Sequence, residues 1–183
     1  MNCCCGLLFF SVFALLLLVP HSSAHTDVSD VKALQDLYTS FNSPPQLKGW
    51  KSSGGDPCEE SWIGVYCVGS SIVQMDLSNN NIYGEIPYGL PLNLTHLNLA
   101  CNNLSQYIPY SLSSMRNLRH MDLSYNEFIG DLPSSFATLK GLSKLSVCLS
   151  IQSINIYTKS VFGFISLWNK FTGTCSIMNS QDQ

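Results

Sequence analysis

Apolar and polar positions recur in a fixed frame in three segments of the chain, Ile72–Pro87, Leu94–Pro109 and Leu118–Pro133. Written as LxxLxLxxNxLxGxIP, the frame repeats every 22 to 24 residues, and Gln106 replaces its glycine in the second copy. This period predicts an α/β repeat solenoid, in which each unit stacks on its neighbours because it cannot bury its apolar face alone. The fixed Asn is expected to hydrogen-bond backbone amides that would otherwise be buried unpaired.

A helical periodicity precedes the repeats, in the segment Thr26–Phe41. Its apolar residues lie three and four apart, which places them on one face of a helix with Thr26 or Asp27 as the N-cap. Pro44 and Pro45 end the helix because neither can continue its hydrogen-bond ladder. The predicted buried face consists of Val28, Val31, Leu34, Leu37, Tyr38 and Phe41. Residues 25–70 are too few for a core of their own, so we predict that they cap the repeats.

The variable positions beside the inward leucines are predicted to line a polar concave face, the usual binding surface of such solenoids. One column across the strands should hold Gln74, His96 and His120, and a second should hold Asp76, Asn98 and Asp122, since strands lie about 4.8 Å apart. The alternative is a solvated polar face without a ligand. The candidate ligand-binding residues are Gln74, Asp76, Asn79, His96, Asn98, His120, Asp122 and Tyr125.

The sequence gives little indication of a catalytic site or a metal-binding site. His96, His120 and Asp122 could in principle bind a metal ion or sense pH. Neighbouring surface histidines usually do neither, so no metal site and no cofactor is predicted. No nucleophile stands in an elbow motif, and no Gly-rich phosphate loop follows a strand. We therefore predict that the chain is not an enzyme and has no catalytic residues.

The amino-terminal segment has the pattern of an export signal. The apolar run Leu7–Val19 has 13 residues, too few to span a bilayer, and small residues follow it. Residues 1–24 are therefore predicted to be a signal peptide that is cleaved after Ala24. The later run Val161–Trp168 has eight residues, so we expect an extracellular chain without a membrane span. A net charge of −3 gives no reason to expect nucleic-acid binding.

Cysteine usage agrees with an oxidising compartment. Cys58 and Cys67 stand close together in DPCEESWIGVYC and are expected to form a disulfide. Cys101 and Cys175 have no obvious partner. For Cys101 we weigh an intermolecular disulfide against a partly buried thiol, and we favour the thiol.

Two sequons, Asn93-Leu-Thr and Asn103-Leu-Ser, are predicted N-glycosylation sites. Asn93 should lie just before a strand, which makes it the better acceptor. A glycan on Asn103 would lie near the rim of the concave face.

The fourth copy of the frame is interrupted. It begins at Leu142 and is lost after Val147, and deleting residues 148–166 restores LSKLSVLWNKFTGT in register. We interpret residues 148–166 as an insertion, with 167–183 as the remnant of the fourth repeat and a short tail. Translated intron sequence or an error in the gene model is the favoured source. A genuine surface insertion, which solenoids tolerate, is the alternative.

The frame with GxIP resembles plant-type extracellular leucine-rich repeats, and WKSSGGDPCEESWIGVYC resembles their N-terminal cap. TDVSDVKALQDLYTSFNSPPQLKGW and PYGLPLNLTHLNLACNNLS are similar, more narrowly, to the STRUBBELIG-receptor family of plant receptor-like kinases. The resemblance covers roughly Thr26–Leu145. It implies a helical, disulfide-stapled cap at 25–70, then three leucine-rich repeats and the start of a fourth at 71–147. Family members act in developmental signalling and add further repeats, a membrane span and a kinase-like domain, which we expect this chain to lack.

These features together predict a secreted module of the plant cell-wall space that binds a protein or peptide, as a truncated receptor-like ectodomain. A co-receptor of the receptor-like kinase class is one candidate partner. Two alternatives stay open at this point. The chain could inhibit a secreted cell-wall enzyme, or it could be a non-functional fragment of a mis-spliced gene.

Overall fold

The computed structural model describes residues 25–147. The predicted signal peptide, the insertion at 148–166 and the tail at 167–183 lie outside the described residues. The elements are α1 Val28–Ser40, β1 Val65–Val68, β2 Ser71–Asp76, β3 Tyr83–Gly84, β4 His96–Asn98, β5 Asn103–Tyr107, β6 His120–Leu123, β7 Glu127–Ile129 and β8 Lys144–Val147, with 3-10 turns at Tyr110–Ser114 and Ser134–Thr138.

The strands form two sheets on different sides of the solenoid. The larger sheet has the order β1-β2-β4-β6-β8, and the smaller has the order β3-β5-β7. Strand β1 runs antiparallel to β2, whereas the later neighbours in the larger sheet are parallel. Each complete repeat therefore gives one strand to each sheet before the chain advances by one turn. This is the α/β repeat solenoid that the frame predicts.

The inward positions of the frame form the core. Leu77, Leu99 and Leu123 occupy the same place in successive repeats, and each is at most 1% exposed. Leu37 and Phe41 of the cap belong to the same buried cluster. Burial of each such side chain stabilises the fold by about 1.5–3 kcal/mol. The cap and the repeats therefore share one core, as a capping unit requires.

The frame asparagine has the bonding role expected of it. The Asn102 Oδ1 atom accepts hydrogen bonds from the backbone amides of Asn80 at 3.1 Å and Ile82 at 3.0 Å. Its Nδ2 atom donates to the carbonyls of Leu77 at 2.9 Å and Leu99 at 3.1 Å. One side chain thus satisfies polar groups of two successive repeats that the tight turn leaves without strand partners.

Helix α1 differs from its predicted face at the first turn. Asp27 is the N-cap, with its carboxylate accepting from the Ser29 amide at 2.8 Å. The prediction that Val28 is buried is wrong, because its side chain is 82% exposed. Asp30 is instead buried, and its Oδ2 atom accepts a hydrogen bond from the Ile72 amide at 3.0 Å. This hydrogen bond anchors the first turn of the helix to β2. The buried contact that the apolar periodicity predicts for Val28 is therefore made by Asp30.

The cap is held together by aromatic packing and one covalent link. The Trp50 and Trp62 ring centroids lie 5.4 Å apart, and Trp50 Nε1 donates to the Ile63 carbonyl at 2.9 Å. Cys58 and Cys67 form the predicted disulfide, with the sulfur atoms 2.03 Å apart. This link joins the turn between Trp50 and Trp62 to β1, the strand on which the repeats stack.

Candidate functional site

The exposed face of the larger sheet carries two columns of polar side chains and corresponds to the predicted concave face; we call it the ladder face. In the first column Gln74 of β2 pairs with His96 of β4, and His96 pairs with His120 of β6. Tyr66 of β1 extends this column at one end, and Lys144 of β8 extends it at the other. The predicted order of the column is therefore confirmed, and five strands contribute to it.

The second column consists of Asp76, Asn98 and Asp122, again in the predicted order. The Asp76 Oδ1 atom accepts from the Ser78 amide and hydroxyl, and Asp122 makes the same pair of contacts with Ser124. Asn98 Nδ2 donates to the other Asp76 oxygen at 3.1 Å. Each carboxylate is thus fixed in direction by its own turn.

The two histidines form a contact pair at the centre of the first column. Their ring centroids lie 4.5 Å apart in an edge-to-face arrangement, and His96 Nδ1 lies 2.9 Å from the Thr95 hydroxyl. Burial lowers the pKa of His96 below its usual range, and the neighbouring His120 imidazole lowers it further. The pair is therefore biased toward a neutral His96, which can donate or accept a hydrogen bond.

A third row of side chains lies where the chain turns away from the ladder face. Asn79, Cys101 and Tyr125 occupy the same place in successive repeats and share positive φ values of 59°, 55° and 53°. The Cys101 thiol is exposed, so the favoured prediction of a partly buried thiol is wrong. The left-handed backbone at this position turns the side chain outward, and this is also why Asn79 and Tyr125 are exposed.

Sequence reasoning missed the two ends of the first column. Lys144 precedes Leu145 just as His120 precedes Met121, so the frame contained the signal for Lys144. Tyr66 lies before the first repeat on an antiparallel strand, where the frame carries no information. Tyr66, Lys144 and the residues of the two columns together line a shallow groove of about 390 Å³ across the ladder face.

Potential metal ligands gather elsewhere in the described part of the chain. Among residues 25–147, the one group of three or more such atoms within 4.8 Å is His25, Asp56 and Glu59, and not the histidine pair with Asp122. Asp56 already accepts hydrogen bonds from the backbone amides of Thr26 at 2.9 Å and Glu59 at 3.0 Å. Although burial raises the pKa of Asp56, these bonds and the Thr26 hydroxyl hold it far below its usual range. The carboxylate therefore serves to tie the chain ahead of α1 to the cap.

Both predicted glycosylation asparagines are exposed. Asn93 lies in the turn before β4 and donates to the Ser71 hydroxyl at 3.3 Å. Asn103 begins β5 and donates to Glu127 at 3.3 Å. Both side chains can be reached from solvent, and their occupancy by glycans stays a prediction.

Three stretches of the chain match known sequence families. Residues 27–68 match the family described as Leucine rich repeat N-terminal domain. Residues 71–91 and 92–149 match two families described as Leucine Rich Repeat and Leucine rich repeat. No helix in the part of the chain that the structure describes is long and apolar enough to cross a membrane.

Several of the similar curated proteins belong to the STRUBBELIG-receptor group of Arabidopsis thaliana. STRUBBELIG-RECEPTOR FAMILY 5 is 39% identical over 132 residues, covering 59% of this chain and 19% of that protein. STRUBBELIG-RECEPTOR FAMILY 2 is 45% identical over 98 residues, covering 40% of this chain and 13% of that protein. STRUBBELIG-RECEPTOR FAMILY 1 is 41% identical over 141 residues, covering 64% and 18%. The chain thus spans less than a fifth of the length of these relatives.

Solved structures with the same fold are plant receptor ectodomains, and those of BIR3–SERK2 and BIR2 are from Arabidopsis thaliana. The BIR3–SERK2 complex matches with 30% identity and a TM-score of 0.53, covering 64% of this chain and 70% of that one. The BIR2 ectodomain matches with 26% identity and a TM-score of 0.55, covering 67% and 71%. The PEPR1–AtPEP1 structure matches with 28% identity and a TM-score of 0.54, covering 67% and 18%.

Proposed function

On the premise that the chain belongs to the leucine-rich-repeat proteins, with STRUBBELIG-receptor family members as its homologues, we propose that its ladder face binds a protein or peptide. The module acts in the extracellular space and performs no catalysis of its own. The observation that carries this proposal is the pair of polar columns that strand pairing holds in register, the first across five strands and the second across three.

The dimensions of the ladder face suit an extended peptide. Four spacings between five strands give about 19 Å at about 4.8 Å each. An extended chain rises about 3.3 Å per residue, so about six residues would cross the first column from Tyr66 to Lys144. Backbone groups of such a peptide would meet a side-chain donor or acceptor on every strand, which is how a fixed ladder reads an extended segment.

The charges of the ladder face favour a peptide of mixed charge. Asp76 and Asp122 present carboxylates in the second column, each oriented by its own serine turn. Lys144 presents a cation at the far end of the first column. We therefore infer a ligand with a basic group over the aspartate column and an acidic group near Lys144. Complementary charges of this kind contribute mainly to specificity and association rate.

Relatives support the class of partner but do not identify it. BIR3 forms a complex with SERK2, and PEPR1 is paired with AtPEP1 in its structure, so this fold presents surfaces to other chains in both. We propose by analogy that this chain reads an extracellular peptide or docks on a co-receptor. Its service in developmental signalling, and its release into the plant cell-wall space, are parts of the same proposal and rest on the resemblance to the STRUBBELIG-receptor group.

The proposal is tested with peptides selected on the protein itself. The full chain is expressed in plant cells, purified and used to select binders from a random peptide library, and affinities are measured by calorimetry. We expect His96→Ala/His120→Ala to weaken the selected peptides about tenfold or more, as loss of central contacts does. Tyr88→Ala/Tyr110→Ala, which removes two exposed tyrosines outside the ladder face, serves as the control. Equal affinity for both variants, or failure to select a saturable binder, would overturn the proposal.

A further inference from the structure

A second concave surface lies beside the smaller sheet, away from the ladder face. It is a cleft of about 320 Å³ lined by residues of three successive repeats, most of them after strands β3 and β5. Its lining includes apolar residues at the ends of successive frames, among them Pro87, Pro109 and Pro133. Its volume is near the lower end of the range of about 300–1,000 Å³ that is typical of small-molecule sites.

Three tyrosines stand around this cleft with their rings in solvent. Tyr88, Tyr107 and Tyr110 are 70%, 66% and 67% exposed. The rings of Tyr88 and Tyr110 lie 5.7 Å apart between centroids and are tilted by 55°. The Tyr107 ring lies over Gly130, where an added Cβ would come within 2.6 Å of it. Aromatic faces grouped at the surface in this way mark an interaction site more often than scattered apolar residues do.

Glu85 and Gln106 give the cleft two planar polar side chains. Glu85 supplies a carboxylate, and Gln106 supplies an amide. Gln106 stands where the other two repeats have Gly84 and Gly130, and its φ of 70° lies in the left-handed region that favours glycine. A non-glycine residue there costs about 1–2 kcal/mol. The sequence thus accepts backbone strain at the position that brings an amide side chain into the cleft, and such strain is typical of functional positions.

The charge of the cleft selects among possible occupants. Among residues 25–147, Glu85 is the one charged residue of its lining, and no Lys, Arg or His joins it. An anionic ligand, such as a phosphate or a uronate chain, would therefore meet a carboxylate and no cation. A neutral ligand with apolar faces and many hydroxyls meets none of this repulsion.

We propose that this cleft binds a neutral oligosaccharide segment through Tyr88, Tyr107 and Tyr110, with Glu85 and Gln106 on its hydroxyls. A pyranose ring presents axial C–H groups on its face, and their partial positive charge is attracted to the negative face of an aromatic ring. Pairs of neighbouring hydroxyls match the planar carboxylate and amide, which can bond two groups at once. Two tyrosines from successive repeats can hold two consecutive sugar rings.

The test titrates the purified full chain with cellohexaose, xylohexaose and mannohexaose as neutral probes, and with hexagalacturonic acid as the acidic control. Binding is followed by calorimetry and by saturation-transfer NMR. We expect saturable binding of at least one neutral probe and no binding of the acidic one. Tyr88→Ala/Tyr110→Ala should weaken binding about tenfold or more, and Tyr88→Phe/Tyr110→Phe should retain it because the ring faces remain.

The matched control is Tyr66→Ala/Tyr125→Ala, which removes two other exposed tyrosines, outside the cleft, and should leave sugar affinity unchanged. Absence of saturable binding to all three neutral probes overturns the proposal, as does equal binding by the cleft variant and the control variant. Self-association that depends on concentration and is lost in Tyr88→Ala/Tyr110→Ala also overturns it, because the tyrosines would then cover a second copy of the chain. None of these outcomes bears on peptide binding at the ladder face.

Discussion

The side-chain oxygen of Asn102 accepts a hydrogen bond from the backbone amide of Ile82, one full repeat earlier in the chain, at 3.0 Å. Asn126 repeats this contact one turn later, accepting from the Leu104 amide at 3.0 Å. The frame asparagine therefore joins each repeat to the one before it, as well as closing its own turn. This explains why the residue is fixed while its neighbours vary.

Replacing Asn102 with alanine should lower the free energy of unfolding by about 2–4 kcal/mol. The change leaves two amides and several carbonyls without their side-chain partner, and each buried polar group left unpaired costs about 1–3 kcal/mol. Denaturant unfolding followed by circular dichroism measures the loss. Asn117→Ala is the control, since this exposed asparagine makes one side-chain contact at 3.5 Å. A loss for Asn102→Ala no greater than the control would contradict the inter-repeat role.

Two substitutions at Asp30 should differ in their effect on stability. Burial raises the pKa of Asp30 above its usual range, while the hydrogen bond from the Ile72 amide partly offsets the rise. Asp30→Asn keeps an acceptor for that amide and removes the buried charge, so stability at pH 7 should be unchanged or slightly higher. Asp30→Ala leaves the amide unpaired and should cost about 1–3 kcal/mol.

The pH dependence gives Asp30 a second signature. Because its folded pKa is raised, the folded state holds its proton more tightly than the unfolded chain, so this group adds stability as the pH falls from neutral toward its unfolded pKa of about 3.9. The contribution is lost as the pH rises through the folded pKa. The free energies of unfolding of the wild type and Asp30→Asn, measured between about pH 4 and about pH 7, should therefore become equal as the pH falls. A constant difference between them would refute the assignment.

The fold was predictable where apolar spacing alone determines it. The fixed frame predicted the inward positions of Leu77, Leu99 and Leu123 and the two polar columns beside them. Alternate side chains of a strand point to opposite faces, so once the leucines face inward their neighbours must face outward. The face of α1 was wrong at Val28, since a helical period cannot reveal that a buried aspartate will anchor the first turn to β2. Such a polar contact depends on which backbone group of a strand packs against the helix, and that is determined by the tertiary structure.

The glycine position of the frame should respond differently in two repeats. Gln106→Gly should raise stability by about 0.5–1 kcal/mol, because the strain at positive φ is relieved while the greater freedom of glycine in the unfolded chain offsets part of that gain. Gly84→Ala should be strongly destabilising, because its Cβ would lie 2.2 Å from the Ser40 carbonyl oxygen at the end of α1. Thermal unfolding of both variants measures the contrast. If Gly84→Ala were tolerated as well as Gln106→Gly, the close packing of α1 on the first repeat would be wrong.

His96 should titrate below the usual histidine pKa of about 6.5. Burial is the main cause and His120 adds to it, so His120→Gln should move the His96 pKa part of the way back. Because the folded pKa is lowered, the stability that this group contributes is present above about pH 6.5 and falls as the pH drops through that value. NMR titration of the imidazole carbon-bound protons measures both shifts. An unchanged His96 pKa in His120→Gln would show that the two rings do not interact electrostatically.

The candidate site was predictable in its centre and less so at its ends. The order of Gln74, His96 and His120 follows from the frame, and Lys144 follows from the same rule applied to the fourth copy. Tyr66 could not be found in this way, because the antiparallel pairing of β1 with β2 is set by the cap. The exposure of the Cys101 thiol was missed because the pattern of apolar residues carries no information on backbone conformation. Cys101 shares a left-handed backbone with Asn79 and Tyr125, and this turns its side chain outward.

The central claim is that the ladder face is where a peptide binds. The most direct measurement is a backbone NMR map of the isotope-labelled chain during titration with a peptide selected on it. The account predicts that the largest shift changes fall on the amides of Gln74, His96 and His120, with those of Tyr88 and Tyr110 unmoved. Shift changes confined to the tyrosine cleft, with the ladder face silent at saturation, would contradict it.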